Sequence, residues 1–140
     1  MIIDAIKLSF EAAKKKNWDY TYWAVDIHGT MIEPNYKFGS IPTTFFPYAK
    51  ETMQMLSRRA DIKLILFTCS HLVEIEKYLD LFESNDIHFD YINENPEVKT
   101  EDKSYGNYDK KMYINVGLDD KFGFSPLEDW IIIKKFLEEI

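Results

Sequence analysis

Apolar residues recur along the chain with two different periods, and the changes between them mark the predicted elements. Four segments carry apolar residues three to four positions apart, which predicts amphipathic helices. Pro47 suits the first turn of the second helix, Ser70 is expected to cap the third, and the fourth is expected to follow Pro126. Their apolar positions are Ile3, Ile6, Phe10 and Ala13; Ala49, Met53, Leu56 and Ala60; Leu72, Ile75, Leu79 and Phe82; and Leu127, Trp130, Ile131, Ile133 and Leu137.

Four other segments are short, rich in aromatic and β-branched residues, and predict strands. The segments 31–44 and 95–109 contain proline and glycine and predict loops. Strands that alternate with helices indicate an α/β fold, here a three-layer Rossmann-like domain with a central parallel sheet and helices on both faces. The predicted strands are Tyr20–Asp26, Ile62–Thr68, Phe89–Asn93 and Met112–Leu118.

Polar side chains follow three of these strands at the point where each strand ends. Asp26 ends the first, Thr68 ends the second, and Asp119 and Asp120 follow the fourth. Right-handed crossovers bring the carboxyl ends of parallel strands to one edge, where ligands bind in such sheets. The sequence therefore predicts that these four residues, although distant along the chain, converge on one site.

Composition narrows the class of protein. A length of 140 residues predicts a single domain, residues 1–140, without a separate cap domain. The net charge of −7 makes nucleic acid an unlikely partner, because polyphosphate backbones would be repelled. No apolar run approaches the roughly 20 residues of a membrane span, and the single cysteine, Cys69, excludes an intrachain disulfide. We expect a cytoplasmic protein with no membrane partner.

Converging carboxylates repel one another unless a cation lies between them. Mg²⁺ is the cation that best suits a few carboxylates, several waters and a substrate phosphate. One of the carboxylates could also attack phosphorus directly, with the Thr68 hydroxyl and a lysine stabilising the phosphoryl oxygens. The polar set at the sheet edge thus predicts a magnesium-dependent phosphoryl-transfer site.

The order of these motifs resembles the haloacid dehalogenase-like (HAD) hydrolase superfamily. The family pattern D-x-D-G-T after a strand is matched by Asp26-Ile27-His28-Gly29-Thr30, and the Ser or Thr after an apolar strand is matched by "LILFT". The acids that end a later strand are matched by "INVGLDD". The tail "DDKFGFSPLEDWIIIKKFL" is also similar to the closing segment of short phage and bacterial members.

The resemblance implies a role for each matching residue. Asp26 would be the nucleophile and a Mg²⁺ ligand, and the backbone carbonyl of His28 would be a second ligand. Asp119 would complete the protein ligands, Asp120 would act directly or through water, and Thr68 would hold the phosphoryl group. The motif lysine is best matched by Lys111, with Lys110 and Lys103 as alternatives.

The sequence departs from the family pattern at His28, where family phosphatases carry an acid that protonates the leaving oxygen. Histidine can perform that task, since its ordinary pKa is near 6.5. Ser70 also replaces an arginine that short members often carry. The expected function is a magnesium-dependent phosphomonoester hydrolase, and capless members tend to act on large substrates or to use a partner subunit as a lid. The alternatives are a catalytically impaired protein that binds metal and a phosphorylated ligand, and an enzyme of another branch, a phosphotransferase or dehalogenase.

Overall fold

The computed structural model describes residues 1–37, 39–100 and 106–140. Helices and strands alternate along it, as the change of hydrophobic period predicted. A single 3-10 turn, Asp120–Phe122, follows the last strand. The elements are α1 (Ile2–Lys16), β1 (Thr21–Val25), α2 (Ala49–Arg58), β2 (Ile62–Leu66), α3 (Leu72–Ser84), β3 (Tyr91–Ile92), β4 (Val116–Leu118) and α4 (Asp129–Glu139).

The four strands form one sheet in the order β3-β2-β1-β4, and every neighbouring pair is parallel. The prediction of an α/β fold with a central parallel sheet and packed helices is therefore confirmed. Trp23 of the central strand β1 lies in register with Leu64 on one side and Val116 on the other. Since all the strands run the same way, their carboxyl ends lie along one edge of the sheet.

Alternate strand residues form the main core with the helices. Trp23, Val25 and Leu66 are fully buried there, together with Tyr78 of α3 and Trp130 of α4. Burying a side chain of this kind contributes roughly 1.5–3 kcal/mol. The indole nitrogen of Trp130 also donates a hydrogen bond to the Thr30 carbonyl at 2.7 Å, so α4 holds the turn that follows β1.

The residues between these core positions face the other side of the sheet, where the irregular segment 93–115 packs. The Tyr22 hydroxyl donates to Glu97 at 3.0 Å, and the Tyr22 ring lies 6.1 Å from the ring of Tyr113. The Asn95 side chain donates to the Tyr113 carbonyl at 2.8 Å, which closes the segment on itself. This segment therefore serves as a covering layer.

The sequence misplaced the start of the fourth strand. Strand pairing begins at Val116, not at Met112. The reason is Asn115, whose backbone N–H donates to the Tyr22 carbonyl while its side-chain oxygen accepts from the Tyr22 N–H at 2.8 Å. A side chain thus takes the place of a ladder carbonyl, and the residues before Asn115 are irregular.

The predicted helices are present, but three details were wrong. Ser70 does not cap α3: the cap position is His71, and the Ser70 hydroxyl is bonded to Thr68 at 2.8 Å. Helix α4 begins at Asp129, because a turn anchored on the Ser125 carbonyl precedes it and leaves Leu127 exposed. Helix α2 ends before Ala60, which is exposed. Within the described residues, no helix is both long and apolar enough to cross a bilayer.

Candidate functional site

Three carboxylates meet at the carboxyl edge of the sheet, where convergence was expected. Asp26 directly follows β1 and Asp119 directly follows β4, and the Asp26 N–H donates to the Leu118 carbonyl at 2.9 Å. This bond carries the strand pairing up to the acids themselves. One oxygen from each of Asp26, Asp119 and Asp120 lies within 4.8 Å of the other two.

Thr30 is the residue that holds this cluster together. Its hydroxyl is fully buried and lies 3.3 Å from an Asp26 oxygen and 3.2 Å from an Asp120 oxygen. The same hydroxyl accepts the Asp120 backbone N–H at 3.0 Å. Because one hydroxyl proton can serve only one acceptor at a time, Thr30 leaves the other carboxylate oxygen available to a ligand.

Gly29 allows the turn after Asp26 to pass close to Asp120. Its φ is +78°, which is a left-handed conformation that favours glycine. A Cβ atom at this position would lie 2.7 Å from an Asp120 carboxylate oxygen, too close for any side chain without movement. The glycine of the D-x-x-G-T motif is therefore required by the approach of the two acidic segments.

Electrostatics at the cluster favour a bound cation. Burial raises the pKa of Asp26 to about 7, and the Asp119 charge and a hydrogen bond with Asp120 raise it further in the same direction. Among the described residues, no lysine or arginine nitrogen comes within 4.0 Å of the three carboxylates. A set of oxygen donors without a counter-charge matches the ligand preference of Mg²⁺, so the residues fit that ion.

The backbone carbonyl of His28 is also compatible with the expected ligand set. His28 takes part in an isolated bridge with Ile32 through the N–H of Gly29 and the N–H of Ile32. Over the described ranges, no backbone N–H donates to the His28 carbonyl oxygen. Its capacity to accept or ligate is not consumed by the turn.

Thr68 ends β2 beside the acids, and Asn93 holds its backbone in place. The Asn93 side chain accepts from the Thr68 N–H at 2.8 Å and donates to the Thr68 carbonyl at 2.7 Å. Asn93 itself adopts a left-handed backbone with φ of 54°. The Thr68 hydroxyl is paired with Ser70 and also accepts the Ser70 N–H at 3.1 Å. This arrangement fixes the Thr68 side chain within a tight turn.

A cavity of about 390 Å³ brings the acids and Thr68 together. Lys121, the residue after the acid pair, supplies a cationic side chain to the same cavity. A carboxylate that can attack, a hydroxyl and an ammonium group therefore share one opening at the sheet edge. The lining residues are Asp26, Phe67, Thr68, Cys69, Asn93, Asp119, Lys121 and Phe122.

The predicted motif lysine lies next to this cavity. Lys111 and Lys110 both line an adjoining cavity whose wall also includes Asp119. Lys103 lies outside the residues that the structure describes. The prediction of Lys111 as the phosphate-binding lysine therefore stays a prediction, and Lys121 becomes a further candidate because it lines the cavity that contains Asp26.

His28 points its side chain into a cluster of aromatic residues. Its ring nitrogen Nε2 is hydrogen-bonded to the hydroxyl of Tyr78, and the His28 ring lies 5.1 Å from the ring of Tyr36. Tyr36 donates in turn to the carboxylate of Glu74. Burial lowers the pKa of His28, while the Glu74 charge opposes that shift. His28 does not line the cavity that contains Asp26.

Sequence reasoning assigned no role to four residues that shape this site. Lys121 was detectable, since it follows Asp119-Asp120 directly, and Thr30 was visible as the last residue of the first motif. Asn93 and Tyr78 gave no signal, because an asparagine after a strand and a tyrosine within a helix are common. Their positions near Thr68 and His28 depend on how distant segments pack.

Comparison with known proteins supports the fold. No protein-family model matches the chain, and no curated protein is significantly similar to it. A solved structure of a conserved protein coded by a locus from Bacteroides thetaiotaomicron superposes with a TM-score of 0.63 at 23% sequence identity. The match covers 86% of this chain and 91% of that chain. At this identity the likeness establishes that the two chains share an α/β fold.

Proposed function

We propose that the chain is a Mg²⁺-dependent phosphomonoester hydrolase of the HAD type, with Asp26 as its nucleophile. The observation that carries this proposal is the cluster of Asp26, Asp119 and Asp120, whose oxygens lie within 4.8 Å of one another beside Thr68 and Lys121. Mg²⁺ held by Asp26, Asp119, Asp120 and the His28 carbonyl would offset the carboxylate repulsion and draw charge from the phosphoryl oxygens.

The chain's own residues divide the reaction between them. An oxygen of Asp26 forms a bond to phosphorus while the bond from phosphorus to the ester oxygen breaks, which leaves the phosphoryl group on Asp26. The Thr68 hydroxyl and a lysine, Lys121 or Lys111, stabilise the phosphoryl oxygens in the transition state. Water then attacks the phosphorus, releasing phosphate and restoring the Asp26 carboxylate. The departing oxygen takes its proton from water.

The test is hydrolysis of an aryl phosphate with and without Mg²⁺. Activity that requires Mg²⁺ and falls at least about 10³-fold in Asp26→Asn is expected, because the amide cannot act as the nucleophile. Asp80→Asn, an exposed aspartate on α3, is the matched control and should keep full activity. Activity that survives in Asp26→Asn would exclude the aspartyl-phosphate mechanism.

A second candidate is a protein that binds Mg²⁺ and a phosphorylated ligand but does not turn over. The observation in its favour is the engagement of His28 with Tyr78, which removes the residue at the general-acid position from the Asp26 cavity. Loss of general acid–base catalysis typically costs about 10²–10⁴-fold in rate. Retained Mg²⁺ binding without hydrolysis of any phosphoester would favour this second function over the first.

A further inference from the structure

An apolar cavity of about 350 Å³ adjoins the cavity that contains Asp26. The two share Phe67, Asn93, Asp119 and Phe122, so they are continuous through a common wall. Phe122 is 75% exposed, an unusual state for a phenylalanine, and it stands at the junction of both. The second cavity is therefore an extension of the candidate site.

The cavity exists because two neighbouring strand positions carry almost no side chain. Ala24 of β1 lies in register with Gly117 of β4, and both line the cavity. Their neighbours along each strand belong to the core on the other face, so Ala24 and Gly117 face the irregular segment. Met112 and Ile114 of that segment cover the resulting depression with apolar side chains.

The depression lies close to the carboxylates. Side chains two residues apart on a strand share a face and are separated by roughly 7 Å. Ala24 precedes Asp26 by two residues, and Gly117 precedes Asp119 by two residues. An organic group attached to a phosphoryl group at Asp26 can therefore reach the space over Ala24 and Gly117 without leaving the protein surface.

We propose that this cavity binds the organic group of the substrate, and that this group is a flat apolar one of one or two aromatic rings. The volume lies at the small end of the range for ligand pockets, and the lining is apolar apart from Asn93, Asp119 and two lysines. A polyhydroxylated sugar would lose its hydrogen bonds to water there.

The chemistry at His28 favours the same substrate class. With His28 bonded to Tyr78, the departing oxygen receives no proton from that side chain. A phenol, whose ordinary pKa is near 10, leaves as an anion more easily than an aliphatic alcohol. The identification of the bound group as part of a substrate rests on the proposed function, and an aryl phosphomonoester satisfies both the cavity and the leaving-group requirement.

The test measures binding, so that leaving-group chemistry does not enter. Calorimetry on the full Mg²⁺-loaded chain compares 1-naphthylmethylphosphonate with methylphosphonate, neither of which is hydrolysed. Burial of a ring pair should make the naphthyl compound bind at least about tenfold more tightly. In Gly117→Val, which fills the depression, that ratio should fall to about twofold or less.

Two further variants keep the test independent of folding defects. Gly117→Ala introduces only a methyl group, which would meet the Cδ1 atom of Ile114 at an ordinary distance of 3.6 Å, and should lower the ratio partially. Phe122→Ala removes an exposed ring at the junction and should also lower it. Leu8→Ala, which removes an exposed leucine from α1, is the control and should leave the ratio as in the wild type.

A wild-type ratio near one, or a ratio unchanged in Gly117→Ala and Phe122→Ala, would overturn the assignment of the cavity. If the ratio behaves as expected while no phosphoester is hydrolysed, the cavity assignment stands and the hydrolase proposal fails. If hydrolysis depends on Asp26 but the ratio is near one, only the cavity assignment fails.

Discussion

Asp26 and His28 stand two residues apart in one motif, but their side chains have opposite surroundings. The Asp26 carboxylate lies in a cavity beside Asp119 and Thr68, with a pKa raised to about 7 by burial and neighbouring acids. The His28 imidazole is bonded to Tyr78 and packed against Tyr36, with its pKa lowered by burial. The comparison teaches that a phosphoryl site can keep its binding groups while the proton-transfer position is given over to packing.

The carboxylate side of this comparison is broken most strongly by Gly29→Ala. The new methyl group would both strain a left-handed backbone and meet Asp120 at 2.7 Å, so we expect a loss of about 2–4 kcal/mol in the free energy of unfolding. Gly123→Ala is the matched control: its φ is +95°, but nothing lies within 4 Å of the added atom. Urea unfolding measures both, and equal losses would show that the Asp120 contact has no cost.

The histidine side is tested by His28→Asp, which restores the acid of the family pattern. Since His28 does not line the Asp26 cavity, we expect this change to raise the rate of aryl phosphate hydrolysis by about 10- to 100-fold. His88→Asp, an exposed histidine before β3, is the control and should not change the rate. A lower rate in His28→Asp would mean that the native imidazole takes part in the reaction.

The raised pKa of Asp26 predicts a pH dependence of stability in the metal-free protein. The folded protein binds the Asp26 proton more tightly than the unfolded chain, so this contribution is fully present below about pH 4 and is lost as pH rises to about 7. Asp26→Asn removes the titration and should gain about 1–2 kcal/mol relative to wild type over that range, after allowance for solvent screening. Urea unfolding in chelator at several pH values measures the difference, and a constant difference would contradict the shift.

The smallest expected effect is the coupling between His28 and Tyr78. Tyr78 is fully buried, and Tyr78→Phe removes the hydroxyl that bonds the imidazole, which should cost about 1 kcal/mol. A double-mutant cycle with His28→Ala isolates the pair, and a coupling near zero would show that the bond adds no stability. Tyr36→Phe, at a half-exposed tyrosine, is the control and should cost less.

The fold was predictable because its signals are local. The unbroken apolar run of β2 and the helical spacing of Ile6, Met53 and Ile133 each arise from neighbouring residues, and burial matches them. The boundaries were less predictable, since side chains decide them: Asn115 replaces a ladder carbonyl before β4, and Ser125 starts a turn before α4. Such bonds join residues whose partners cannot be read from one segment.

The sequence by itself determined the alternation of elements, the parallel sheet and the placement of Asp26, Thr68, Asp119 and Asp120 at strand ends. Strand ends converge in a parallel sheet whatever the details of packing, which is why that part of the site could be foreseen. Only the tertiary structure decided that Thr30 bridges two acids, that His28 turns toward Tyr78, and that Ala24 meets Gly117 to open an apolar cavity. These features depend on the distance and orientation between segments far apart in the chain, which the order of residues along each segment does not specify.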